Sequence, residues 1–180
     1  MPTIEAPDDR PHGMYRDVLW SAGGHELSDR GWHANAIVTS CHVLLAGFMS
    51  GAPTASLGIQ GLLVGQGLAA WDAAGAPAPA ASQVQLVDPN PFLVLRTSLQ
   101  FTYLVGNTPS VQPTNRLQIV ATLGPNVPAW PDANHAGGTL REFGLVARLN
   151  NVQTLVNYVT HPVIVKDPSI TLTRTILLVF

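Results

Sequence analysis

Hydrophobic and polar residues alternate with a period of two over most of the second half of the chain. In residues 92–104, Leu93, Leu95, Leu99, Phe101 and Tyr103 alternate with Arg96, Ser98, Gln100 and Thr102. Successive side chains on a strand point to opposite faces, so this pattern predicts a half-buried strand. Leu117, Ile119, Ala121 and Leu123 alternate with Arg116, Gln118 and Thr122 in the same way. Residues 139–149 and 154–165 predict two further strands, broken by Asn150-Asn151 and by Pro162. Residues 170–180 end the chain on a strand in which Thr171, Thr173 and Thr175 alternate with Ile170, Leu172, Arg174, Ile176 and Leu178.

The first half has a different period. Ile37, Cys41, Leu44, Leu45 and Phe48 recur at helical spacing and predict one main helix over 33–50. Gly51 and Pro53 supply its stop, and Asp29 or Asn35 its cap. Residues 57–64 predict a buried strand, and 69–82, rich in Ala, Pro and Gly, a surface loop. Residues 1–30 are polar and interrupted by prolines and glycines, which predicts an extended N-terminal arm with a single short helix. The expected organisation is an arm over 1–30 followed by one β-rich domain over 31–180. Its class is α+β: a mainly antiparallel, sandwich-like sheet with one main helix.

Composition adds a constraint on the surface. Of 180 residues, 46% are hydrophobic and only 11% charged, against about 25% charged in typical globular chains. A surface this poor in charge suits a protein covered by other subunits. The net charge of −2, with nine scattered Lys and Arg, leaves no footprint for nucleic acid. No apolar run reaches the roughly 18 residues of a membrane span, and the N-terminus does not read as a signal peptide. Synthesis in the cytoplasm without a signal peptide is expected. The single Cys41 excludes an intrachain disulfide.

Candidate chemistry is sparse. His33 and His42, nine apart on the expected helix, face opposite sides, and His12, His25, His135 and His161 lie in unrelated segments without metal-ligand spacing. Gly65, Gly67 and Ala70 spell GxGxxA after a strand, with Asp88 near ribose-binding distance. The motif needs a helix behind it to face a pyrophosphate, and Gly75, Pro77 and Pro79 interrupt that helix. Cys41 falls on the apolar helix stripe and reads as a small buried hydrophobe. No catalytic residue, cofactor or metal site is expected. Trp71, Trp130 and Tyr158 are candidates for stacking on a sugar, which makes a carbohydrate- or receptor-binding β module the alternative reading.

Residues 137–145 read Gly-Gly-Thr-Leu-Arg-Glu-Phe-Gly-Leu. This is similar to the GG-x-[IL]-RE-[IF]-GL-[FY] signature of phage tail-fibre and tail-collar N-terminal domains. Lys166 and Thr171-Leu172-Thr173-Arg174-Thr175-Ile176 occupy the stretch where that family carries K…[LM]-x-[LV]-x-[RW]-x-[IL]. Val64-Gly65-Gln66-Gly67 followed by Trp71-Asp72 resembles the family's VG-x-G…W-D turn, and 113–117 its loop into the next strand. The resemblance spans about 32–180. It implies a structural subunit of a virion or of a phage-tail-like contractile injection particle. Such a subunit forms a homo-oligomer, a trimer favoured over a hexamer, and reaches neighbouring particle proteins through its arm. The family usually continues into a shaft and tip, whereas this sequence ends at Phe180, so a collar, baseplate, fibre-attachment or decoration role is expected. In this reading Gly137, Gly138, Arg141, Glu142, Phe143, Gly144 and Leu145 form a structural motif. Its glycines allow a tight turn or bulge, Phe143 and Leu145 anchor the core with Arg141 on their face, and Glu142 pairs across strands with Arg116 or Arg174.

Overall fold

The computed structural model describes residues 11–50 and 56–180. Eleven strands, one longer helix and one helical turn account for its regular structure. In order these are β1 (His12–Trp20), β2 (Glu26–Ile37), α1 (Thr39–Met49), β3 (Ser56–Gly65), α2 (Trp71–Ala74) and β4 (Phe92–Leu95). After a 3-10 turn at Arg96–Ser98 follow β5 (Leu99–Val105), β6 (Thr108–Ser110), β7 (Arg116–Leu123), β8 (Thr139–Leu149), β9 (Val152–Leu155), β10 (Asn157–Val165) and β11 (Thr171–Val179). All pairings are antiparallel, in the order β4-β3-β8-β10-β2-β1-β11-β7-β5-β6, with β9 against β8. The α+β, sandwich-like class expected from the sequence is the class observed.

The long sheet folds over itself. β10 and β2 join through only two residue pairs, Asn157↔Ile37 and Tyr158↔Ala36, which makes a hinge between two halves. β4 and β5 lie far apart in the strand order yet follow each other in the chain, so the 3-10 turn carries the chain from one half to the other. One hydrophobic cluster takes Leu62, Leu140, Phe143 and Leu145 from one half and Ile119, Leu123, Leu172, Ile176 and Leu178 from the other. Burying both inner faces at once is what drives the doubling over.

Several of the expected strands sit where the sequence places them. β8 spans the predicted 139–149, and Asn150 and Asn151, with φ of 50° and 63°, make the turn into β9. Two consecutive positive φ values match the hairpin turn that twists with its strands, and Asn tolerates them better than most residues. Pro162 lies in β10 where the register against β8 shifts between Thr160 and Ile164, so its missing N–H interrupts no regular ladder.

Three expectations are corrected. Residues 12–30 are not an arm, because β1 lies between β2 and β11 inside the sheet. Tyr15, Val18 and Leu19 are buried, and pairing on both edges outweighs the polar composition of the segment. Residues 1–10 of the expected arm lie outside the described residues, as do Gly51 and Pro53, the expected helix stop. The helix starts at Thr39, not at 33, because Gly13↔Asn35 and Asn157↔Ile37 hold the preceding residues in β2. Asp29 therefore caps no helix, and its Oδ1 accepts hydrogen bonds from Arg16 Nε and Gly31 N, each at 2.9 Å. Asn35 likewise belongs to β2. Finally, 92–104 is two strands, not one, and in β4 it is Val94 that is buried while Leu93 and Leu95 face outward.

A chain lacking residues 1–30 loses β1 and with it three buried apolar side chains, each worth roughly 1.5–3 kcal/mol. Against a total stability of about 5–15 kcal/mol, this truncation should abolish cooperative unfolding in circular dichroism. A melting curve like that of the full chain would contradict the placement of β1.

Candidate functional site

The signature strand β8 organises two buried polar networks. At its start, Gly138 O accepts from Lys166 N at 2.8 Å, and a Cβ on Gly138 would collide with the Lys166 carbonyl. Only glycine lets the two segments approach so closely. Lys166 is itself buried, its Nζ donating to Gly124 O at 2.7 Å, and burial lowers its pKa. Gly137 O accepts from Gln66 Nε2. The Arg141 guanidinium forks onto Asp72, with Nε–Oδ1 and Nη2–Oδ2 both 2.7 Å. It also donates to Gln66 O at 3.0 Å and Thr139 Oγ1 at 3.1 Å. This bidentate bond from Arg141 holds the Asp72 carboxyl below its usual range.

Glu142 is fully buried and is paired with neither Arg116 nor Arg174. Its carboxylate accepts from Asp88 N at 2.6 Å, Val87 N at 3.0 Å and Tyr158 Oη at 2.6 Å. It thereby pins the loop after α2 to the sheet. Gly65 and Gly144 make the space: a Cβ on Gly65 would lie 2.8 Å from Glu142 Oε1, and one on Gly144 would lie 2.6 Å from Asn157 O. Phe143 and Leu145 are fully buried in the main core, as expected, while the guanidinium of Arg141 ends on Asp72.

Asp88 extends this network. Its Oδ2 accepts from Gln66 N at 2.8 Å and lies 3.1 Å from His135 Nε2, and its Oδ1 accepts from Asn90 N at 2.9 Å. His135 Nδ1 lies 2.8 Å from Asp132 Oδ1, and the ring stacks on Trp130 with centroids 3.9 Å apart. The GxGxxA glycines accordingly serve packing. Gly65 admits Glu142, Gly67 lies under the Trp71 ring with φ of 56°, and β3 runs antiparallel to both its neighbours.

A second network crosses the middle of the sandwich. Asp17 on β1 and Arg174 on β11 are direct register partners and both are fully buried. Arg174 Nε and Nη2 each reach an Asp17 carboxylate oxygen at 2.7 Å. The same Nη2 donates to His161 Nε2 at 3.1 Å, and His161 Nδ1 donates to Pro162 O at 2.8 Å, which fixes the neutral tautomer. The guanidinium lies 3.8 Å from the Phe143 ring centroid, and Tyr15 meets the same ring edge-on at 5.1 Å. Burial alone would raise the Asp17 carboxyl, but the charge and two hydrogen bonds of Arg174 outweigh it and lower the pKa. Burial, reinforced by the Arg174 charge, pushes His161 down to about 3. Beside this trio lies a cleft of about 290 Å³ with Tyr15, His33 and Arg30 on its walls. Arg30 donates to Pro162 O and Val163 O, each at 2.8 Å, and so satisfies the carbonyls that the β10 irregularity leaves without ladder partners.

Of the stacking candidates, Trp130 and Tyr158 are buried and engaged by His135 and Glu142, so neither presents a face to a ligand. Trp71 is half-buried over Gly67. Cys41 is buried, and burial pushes its thiol up to about 11. Among the described residues no group of His, Cys, Asp and Glu is arranged to hold a metal ion. The sequence reading did not bring together Asp17, His161 and Arg174, because strand register joins residues 157 positions apart. The only local sign was Arg174 standing on the apolar face of an otherwise regular alternation.

Removing the Glu142 carboxylate leaves the buried donors Asp88 N and Tyr158 Oη unpaired, at about 1–3 kcal/mol each, together with the part-buried Val87 N. Glu142→Ala should therefore lose at least about 2 kcal/mol in urea denaturation, and Tyr158→Phe about 1.5–3 kcal/mol. A Glu142→Ala protein within about 1 kcal/mol of wild type would refute this account. His161 has a folded pKa near 3, below its unfolded value of about 6.5. The unfolded chain then binds the extra proton between those limits, so stability falls as pH drops through that window. His161→Gln should flatten the stability profile between about pH 6.5 and 5 by close to one proton; an unchanged slope would show that His161 titrates normally. No family model, curated protein or solved structure matches this chain.

Proposed function

We propose that the chain is a structural subunit of a phage or phage-tail-like contractile particle, in a collar, baseplate, fibre-attachment or decoration role, and that it works by oligomeric assembly. The resemblance of 137–145 to the tail-fibre and tail-collar signature suggests the class. The observation that carries the reading is a pair of adjoining, mainly apolar clefts along one side of the sandwich. An entirely apolar cleft of about 160 Å³ is walled by Leu45 and Phe48 of α1 and by Phe180. It adjoins a second cleft, of about 350 Å³, walled by Phe101, Tyr103 and Arg96, whose guanidinium lies over the Phe101 ring, and the two share Gly58, Ile59 and Leu117. Phe48, Tyr103 and Phe180 are each about two-fifths exposed. A joined, mainly apolar surface on a chain with 11% charged residues is the kind that other subunits cover.

The neighbour contact expected of the 1–30 arm does not fall to residues 12–30, which lie in β1, β2 and their connection. The groove takes that role, with a second copy of the chain as its occupant in a threefold assembly. Among the described residues no helix is long and apolar enough to cross a membrane.

Light scattering behind a sizing column should give the mass of three chains for the full-length protein. Phe48→Lys with Tyr103→Lys should lower it to that of one chain while leaving the melting temperature within a few degrees, because both positions are already part-exposed. A single-chain mass for the unsubstituted protein at every concentration tested would contradict the reading.

A further inference from the structure

A cleft on the opposite surface of the sandwich has different chemistry. It lies on the outer face of the half-sheet formed by β2, β1, β11, β7 and β5, and its volume is about 350 Å³, at the lower end of the range for small-molecule sites. Met14, Leu177 and Gln118 form a row across three strands, since Met14 pairs with Leu177 and Leu177 with Gln118. Leu177 and Leu104 are buried and make an apolar floor. Trp32 of β2 stands at one side, 44% exposed. Asn107, in the turn between β5 and β6, and Arg116, at the start of β7, complete the lining.

Arg116 is what sets this cleft apart. Arg16 and Arg141 are engaged by Asp29 and Asp72, Arg174 by Asp17, and Arg30 and Arg96 by backbone carbonyls. Arg116 is half-buried, yet its Nε is shut off from solvent and donates to no acceptor among the described residues. A shielded guanidinium N–H without an acceptor is costly. Among the described residues Arg116 is the one charged residue in the lining, and no carboxylate lines the cleft with it.

We propose that this cleft binds a saccharide unit carrying a carboxylate. A sugar ring has an apolar C–H face that suits the exposed indole of Trp32, and hydroxyls that suit the amides of Asn107 and Gln118. The carboxylate answers the Nη groups of Arg116, which unlike Nε are not shut off from solvent and carry the guanidinium charge. A neutral sugar would leave the guanidinium unanswered, and a plain anion would leave Trp32 and the apolar floor unused. The site shares no residue with the groove assigned to assembly, so each can fail without the other.

Isothermal titration of the full chain with methyl glucuronide, N-acetylneuraminic acid and methyl glucoside tests this directly. At least one acidic sugar should bind saturably and about tenfold or more tighter than the neutral glucoside, the effect of one charge-assisted contact. Arg116→Gln should abolish that preference, and Trp32→Ala should weaken the acidic and neutral sugars alike. Both variants are read only after their melting temperatures match the wild type, and since they sit on different strands one serves if the other fails to fold. No saturable binding of either acidic sugar, an undiminished preference in Arg116→Gln, or equal binding of acetate would overturn the proposal.

Discussion

A charge pair that water does not reach fixes the register of β1 against β11, and its guanidinium then reaches across to the other half of the sandwich. Asp17 comes from near the start of the chain and Arg174 from near its end, and the antiparallel register sets them side by side. Arg174 then extends over Phe143, which belongs to the other half. An ion pair in this position stabilises little in itself, since desolvating both groups offsets most of their attraction. Its effect is on register. A slip of one residue between β1 and β11 would leave a buried carboxylate without its guanidinium, and that penalty falls on competing arrangements rather than on the native one. His161 and Phe143 fit around this pair, and Phe143 in turn directly follows Arg141 and Glu142 on β8.

The remaining polar chemistry of the interior follows the same plan. Glu142 ties a loop to the sheet, Asp88 carries that tie to His135, and Arg141 fastens the short α2 through Asp72. Each buried charge meets a donor or acceptor anchored on a different segment, as low-dielectric surroundings require. Residues that look chemically active in sequence thus act as internal struts. The outer surface offers a mainly apolar groove on one side and a cleft with an unanswered guanidinium on another.

How much of this could be read from sequence depends on what each segment's environment is made of. β11 is legible because its apolar face meets a core made by distant strands and its period-two pattern records that, and β8 because its apolar run, buried on both faces, stands between glycine and asparagine turns. β1 and β2 are not, because β2 is largely exposed and its apolar residues Leu27, Trp32 and Ile37 stand among polar ones without a period of two, so a paired strand and a free arm share one composition. Thr39 could not be recognised as the helix start, since α1 has no capping side chain and Ile37 happens to continue the helical spacing. The break at Arg96–Ser98 is hidden for a related reason: alternation survives across a turn that changes which face is buried. Within the signature, the glycines and the importance of Arg141 and Glu142 were legible, but their partners were not. Asp72, Val87, Asp88 and Tyr158 reach them through the fold of an irregular loop and through strand pairing, which no local spacing encodes.

Buried, inward-facing charge fixes the register of β1 against β11, and the most direct test is a double-mutant cycle on Asp17 and Arg174. Asp17→Asn, Arg174→Met and the double variant would be compared with wild type by urea denaturation. Each single change leaves a buried polar partner stranded and should cost about 3–5 kcal/mol. The double change should cost much less than their sum, with a coupling of about 2–3 kcal/mol. Single variants that add to within about 0.5 kcal/mol would show that the two residues act independently, and would contradict the account.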